Sequence, residues 1–211
     1  MLWESGDKDA VVEYVFQRTE NTEVALRILA EEERIKRRIA REFVETVETR
    51  LQKSFSDRGA GWGIVNQLKK DALDRRKLIG VQKKSWDGLY CIGLMSEDKN
   101  GRRFMCGVWN DWEKLRMRVD GGKISDAIKA AEVRSGWTTD WWPYGAWMER
   151  DRNWWDERTL GKMIGEDREL FAYELVDIIV RIADAVEITI DAVIEDARAM
   201  IEDGALPNKA F

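Results

Sequence analysis

Two stripes of apolar residues, one toward each end of the chain, constrain its fold more than any other feature. In the first, Ile28, Ile35, Ile39, Phe43, Val47 and Leu51 step by sevens and fours, which keeps them on one side of an α-helix of 3.6 residues per turn. In the second, Phe171, Leu175, Ile178, Ile182, Val186, Val193 and Ile201 keep one face apolar, while Asp177, Asp184 and Asp191 recur every seven residues on another face. The spacing predicts a long helix over 22–55, about 50 Å from end to end at 1.5 Å per residue, and a second long helical region over 159–203. Each stripe must be laid against something apolar. The run EEERIKRR inside the first helix belongs to its solvated side, where Glu and Arg three or four residues apart pair with one another.

Between the two stripes the pattern changes. Residues 78–84 read as a strand, and GLYCIGLM and RRFMCGVW are two apolar runs joined by the turn-forming EDKNG. A fourth strand is expected near YGAWME, so the sheet region spans 78–150. Leu89, Cys91 and Met95 alternate with Tyr90, Ile92 and Leu94. The hairpin is therefore apolar on both faces and has to be covered on both, or on one face and by a partner on the other. Asp7 can cap a short helix over 8–18, within an N-terminal helical segment 1–20. After Gly59, Gly61 and Gly63, VNQLKKDALDRRKL reads as a basic helical piece, and KISDAIKAAEVRS as a short helix. The expected fold is α+β, with two long amphipathic helices packed with a small antiparallel sheet and short helices. At 211 residues, 44% hydrophobic and 36% charged, the chain is well suited to one folded domain over 1–211.

Charge is segregated along the chain. From Lys69 to Lys84 there are seven bases (Lys69, Lys70, Arg75, Arg76, Lys77, Lys83 and Lys84) against two acids, and from Glu166 to Asp203 twelve acids against three bases. Such a layout permits head-to-tail association, or a basic patch that meets a polyanion. Histidine is absent, which excludes Ser-His-Asp and Cys-His nucleophile pairs and any metal site that needs imidazole. Cys91 and Cys106 are too few for a zinc ribbon or a redox CxxC. With SEDKNGRR as the turn, both are expected on one sheet face as diagonal neighbours about 7–8 Å apart, beyond disulfide reach, as free thiols. The start, MLWESGDKDAVVEYVF, is interrupted by acids, unlike a signal peptide, and no stretch approaches the ~20 apolar residues that cross a bilayer. A cytoplasmic protein with no membrane contact is expected.

Two motifs invite a catalytic reading. Asp87 with Glu97 and Lys99 has the D…(D/E)xK spacing of metal-dependent nucleases, in which two carboxylates hold magnesium and the lysine polarises water. Here the tripeptide falls in a turn, where acids and lysine are expected in any case. GAGWG at 59–63 follows a helix and lacks a following GK[ST], so it reads as linker glycine instead of a phosphate loop. No catalytic residue, metal or cofactor is assigned. Six of the eleven tryptophans lie between residues 136 and 158. Trp141, Trp142, Trp147 and Trp154 are the candidate partner-binding residues, read either as core or as a platform, since the indole ring serves both uses. Adjacent pairs point in different directions, so one member of each can be buried while the other is presented outward.

WWPYGAWMERDRNWWDERTLGKMIGEDRELFAYELVDIIVRIADAV resembles the C-terminal accessory region of a bacterial and phage family within the PD-(D/E)XK nuclease superfamily. There a Trp- and Pro-containing strand leads to a tryptophan, a short helix and then a long helix of isoleucines and acids. The charged helix and the hairpin GLYCIGLM/RRFMCGVW are also similar, so the likeness runs from about Thr19 to Ala197. In the family a nuclease core precedes this region, and no catalytic residue carries over. The resemblance implies recognition, dimerisation or regulation without cleavage, as an inhibitor or accessory subunit in phage–bacterium conflict. The reading is thus a non-enzymatic protein that works through protein–protein contacts as a homodimer. The alternatives are a nucleic-acid-binding module using the basic segment 69–84, and a minimal metal-dependent nuclease.

Overall fold

The computed structural model describes residues 5–59, 61–70, 76–96, 104–111, 121–148 and 156–202. In these the chain runs α1 (Ser5–Phe16), α2 (Thr19–Ala30), α3 (Glu32–Ser56), β1 (Trp62–Asn66), β2 (Leu78–Lys83), a 3-10 turn (Lys84–Trp86), β3 (Tyr90–Ser96), β4 (Phe104–Asn110), α4 (Gly121–Ala130), β5 (Tyr144–Trp147), α5 (Glu157–Lys162) and α6 (Asp167–Glu202). The α+β architecture expected from the two periodicities is present. The contacts fall into two compact units, residues 1–38 and 39–211.

In the first unit α1 and α2 pack as a helical hairpin. Its corner is tied by Asn21 Nδ2, which donates to the Tyr14 carbonyl at 2.9 Å, and by Thr22 Oγ1, which donates to the Val15 carbonyl at 2.8 Å. The long first helix expected over 22–55 is divided into α2 and α3 by the single residue Glu31. Backbone bonds still pass through this point, from Glu31 N–H to the Arg27 carbonyl and from Ile35 N–H to the Glu31 carbonyl. No residue of α2 is buried.

The second unit is built on a five-stranded antiparallel sheet in the order β1-β2-β3-β4-β5. Side chains alternate between its faces. Ile79, Val81, Tyr90, Ile92, Leu94, Phe104, Cys106, Val108, Tyr144 and Ala146 enter the main core on the first face. That face is covered by Phe43, Val44, Val47 and Leu51 of α3, by Ile124 and Ile128 of α4, and by α6 from Phe171 to Ile194. Each such side chain taken fully out of water contributes about 1.5–3 kcal/mol. Phe43 stacks on Phe171 at 5.1 Å, which brings α3 and α6 together. The second stripe is thus buried along nearly its whole described length, whereas the first is buried only from Phe43 onward and leaves Ile28 and Ile35 exposed.

The second face has a different make-up. Leu78, Cys91, Met95, Met105 and Trp142 form a smaller cluster, with Val65, Trp109, Trp137 and Trp147 packed around it. Across the middle of this face run four glycines in register, Gly80, Gly93, Gly107 and Gly145. A Cβ on Gly80 falls 2.1 Å from the Ile92 carbonyl oxygen, on Gly93 2.5 Å from that of Ile79, and on Gly107 2.2 Å from that of Tyr144. The strands therefore approach one another too closely on this side for any side chain. At Gly145 the space is taken by the Trp137 ring, 2.7 Å from where a Cβ would stand. Both faces of the β3–β4 hairpin are covered, as its two apolar faces require.

Three local expectations are corrected. Residues 65–66, read as the start of a basic helix, belong to strand β1, and 67–70 form turns and bends. The pairing partner decides this: Ile64 and Val65 join the ladder opposite Val81 and Gly80, which outweighs a weak helical periodicity. GAGWG is not a plain linker, since Trp62 and Gly63 open β1 and Trp62 packs 5.0 Å from Phe55 and 5.2 Å from Trp86. The cysteines lie on opposite faces of the sheet, because Cys91 pairs with Trp109 and Cys106 with Leu94. A register one residue away from the one expected exchanges the faces. Both remain free thiols.

The burial of Cys91 predicts alkaline sensitivity. Burial, offset in part by a hydrogen bond with the Val81 backbone, pushes its thiol up to about 12, whereas a thiol in an unfolded chain ionises near ~8.5. The folded value is the higher one, so this contribution to stability is intact below about pH 8.5. It is lost as pH rises toward 12, at up to about 1.4 kcal/mol per pH unit. Urea midpoints followed from about pH 8 to 10.5 should fall, and those of Cys91→Ala should fall less steeply. Parallel slopes would show that Cys91 does not carry the loss.

Candidate functional site

The charge segregation is largely closed within the second unit. Acids of α6 take their partners from α3, from the turn after it and from β2: Glu169 pairs with Arg50 at 2.5 Å, Asp184 with Arg58 at 2.6 Å, and Glu187 and Asp191 with Lys83 at 2.9 and 2.5 Å. Asp191 also accepts the indole N–H of the fully buried Trp86 at 2.7 Å. Burial alone would lower the pKa of the Lys83 ammonium, but its bonds to Asp191 and Glu187 outweigh this and raise it. Lys83 therefore ties the sheet to α6 and is not offered to a polyanion. Lys69 is bound at 2.9 Å to Glu48 of α3, whose other oxygen accepts from Asn66 at 2.8 Å.

The remaining bases are dispersed. Lys70 is exposed on the turn after β1, and Lys84 is exposed at the far end of β2. Arg76 and Lys77 stand exposed at the beginning of β2, and Arg75 lies outside the described residues. Arg76 holds a left-handed backbone, φ 56°, which an arginine adopts only at some cost.

Arg76 and Lys77 share a cavity of about 500 Å³ with Gln67, Leu78, Met95, Trp109, Trp141 and Trp142. Leu78 and Met95 are register partners on the second face and form its apolar floor. Gln67 is locked beside them. Its N–H donates to the Leu78 carbonyl at 2.9 Å and its Oε1 accepts from Leu78 N–H at 3.2 Å. The tryptophan wall is positioned by short backbone bonds. Trp137 and Gly145 exchange two at 2.8 Å, and Thr139 N–H donates to the Trp142 carbonyl at 2.8 Å. Trp142 N–H donates back to Thr139 Oγ1 at 3.1 Å, and Asn110 N–H donates to the Trp141 carbonyl at 3.2 Å.

The tryptophan question is answered residue by residue. Trp142 is buried against the second face at 5% exposure, whereas its neighbour Trp141 is 47% exposed, the split that adjacent side chains predict. Trp147 closes β5, half-buried, with its ring 6.1 Å from that of Trp137. Trp137 also meets Trp142 edge-on at 6.3 Å. Trp154 lies outside the described residues. Trp109 and Gln67, not singled out from sequence, belong to the cavity. Trp109 was legible as an alternate position in β4, but Gln67 sat within a stretch read as helix.

Of the nuclease-like triplet, Asp87 is exposed and paired with Arg198 at 2.6 Å, while Glu97 and Lys99 lie outside the described residues. Among the described residues no group of three or more His, Cys, Asp or Glu is placed to hold a metal ion, and no helix is long and apolar enough to cross a membrane. Comparison with protein families, with curated proteins and with solved structures finds no match to this chain.

Proposed function

We propose that this chain is a non-enzymatic cytoplasmic protein that works through protein–protein contacts and assembles as a homodimer on the helices of its first unit. One observation carries the reading. Between Val11 and Ile35, nine large apolar side chains (Val11, Val12, Tyr14, Phe16, Val24, Leu26, Ile28, Leu29 and Ile35) are each at least 42% exposed. A large apolar side chain presents on the order of 150–200 Å² when free, so nine about half exposed offer roughly 800 Å², one side of a standard interface. Two twelve-residue helices with so little buried between them gain little stability alone, and a partner that covers this surface supplies the missing burial.

The charged run beside this surface is paired along its own helix, Arg34 with Glu31 at 3.1 Å, Arg37 with Glu33 at 3.2 Å and Lys36 with Glu32, so the apolar side chains alone carry the contact with a second copy. The resemblance to the accessory region of PD-(D/E)XK nuclease proteins supports the same reading, as a regulator or accessory subunit of a nuclease or defence system in phage–bacterium conflict. Light scattering at two protein concentrations tests the assembly. The expected mass is twice the 24.6 kDa of one chain, falling to one chain in the Leu26→Glu/Ile28→Glu variant. A single-chain mass for the unaltered protein at both concentrations would overturn it.

A further inference from the structure

We infer that the cavity on the second sheet face is a nucleotide site, in which a base stacks on Trp141 and its phosphate is held by Arg76 and Lys77. The site belongs wholly to the second unit, so it stands or falls independently of self-association. Its volume of about 500 Å³ lies within the range of small-molecule pockets; protein interfaces, by contrast, spread about 800 Å² over each partner. The lining divides into two zones. Trp109, Trp141 and Trp142 supply flat conjugated surface, and Trp141, 47% exposed, still has ring area to cover. Arg76 and Lys77 add two exposed cations with no ion pair among the described residues, and no acid is among the described residues that line the cavity.

A ligand that satisfies both zones carries a flat heterocycle and a negative charge within one small unit. A nucleotide does so, and stacking on indole is open to every base. A carboxylate side chain answers only the cations. The amide of Gln67 adds a group that can bond to a base edge. The acidic helix α6 packs on the first face of the sheet, and at typical layer spacing it is about 10 Å from the second. The charged side chains among the described lining of the cavity are both basic, Arg76 and Lys77, although the chain carries a net charge of -5.

The chemistry is shared by a free nucleotide and by a unit of a single strand, and the test separates them. Tryptophan fluorescence is followed while thymidine monophosphate, a short oligothymidylate or an acidic, tyrosine-containing peptide is added, at low and at raised salt. Both nucleotide probes are expected to report if the source is a free nucleotide. A strand gives much tighter binding of the oligomer and a steep loss with salt. In either case Trp141→Ala should weaken binding at least about fivefold. The Arg76→Ala/Lys77→Ala variant should weaken it and flatten the salt dependence, whereas Lys84→Ala, altering an exposed base outside the cavity, should leave it unchanged. Because all three cavity positions altered are exposed, melting temperatures should stay close to that of the unaltered protein. Should Trp141→Ala fail to fold, the double variant decides alone. The inference is overturned if neither nucleotide probe binds at low salt, if binding survives intact in both variants, or if only the peptide binds with this dependence on Arg76 and Lys77.

Discussion

Gly107→Ala is expected to destabilise the second unit by about 3 kcal/mol or more, a large share of the 5–15 kcal/mol that typically holds a domain folded. The added methyl would stand 2.2 Å from the Tyr144 carbonyl oxygen and 3.0 Å from the Gly145 Cα. Both are backbone atoms of the neighbouring strand, so no rotamer change relieves the clash, and β4 and β5 have to separate. That movement weakens the ladder from Met105 to Val108 and withdraws Gly145 from under the Trp137 ring. A control has the opposite sign. At Gly161, in the short helix α5, a Cβ meets nothing within 4 Å, so Gly161→Ala should be neutral or stabilise by up to about 1 kcal/mol. Urea unfolding followed by tryptophan fluorescence compares the two. Equal midpoints for Gly107→Ala and the unaltered protein would mean that the strands do not lie so close on this face.

Asp191→Ala should cost about 2–4 kcal/mol, chiefly through what it leaves behind. Its two oxygens serve different partners, the Trp86 indole at 2.7 Å and the Lys83 ammonium at 2.5 Å. Trp86 has no exposed surface, so its N–H finds no replacement in water. Lys83 keeps Glu187 at 2.9 Å, which limits the loss on that side. Asp191→Asn retains an acceptor for Trp86 and removes only the charge, so its cost should be smaller, about 1–2 kcal/mol. The expected order of stability is Asp, then Asn, then Ala, read from urea midpoints. If Asn is as damaging as Ala, the ion pair and not the indole bond carries the effect; if neither differs from Asp by about 0.5 kcal/mol, this junction between sheet and helix adds nothing net.

What could be read from the residues alone was whatever repeats within a few positions. The stripe from Phe171 to Val193 specified α6, and the alternation from Leu89 to Met95 specified a strand apolar on both faces, because helical and extended side-chain directions are set by the local backbone. The same rule divided Trp141 from Trp142. What remained undecided depends on residues far apart in the chain. Ile64 and Val65 are a strand because β2 lies beside them, and Cys91 and Cys106 face apart because the hairpin register has one parity and not the other. Gly80, Gly93, Gly107 and Gly145 are unremarkable in sequence and become a row only once four strands are aligned. Likewise, the basic segment looked like one patch, but a strand about 20 Å long at 3.3 Å per residue separates its ends, giving Lys83 to α6 and Arg76 and Lys77 to the tryptophans. Periodicity is a property of one segment, whereas register, close approach and the pairing of charges belong to two; the first is written in the residues, and only the folded chain decides the second.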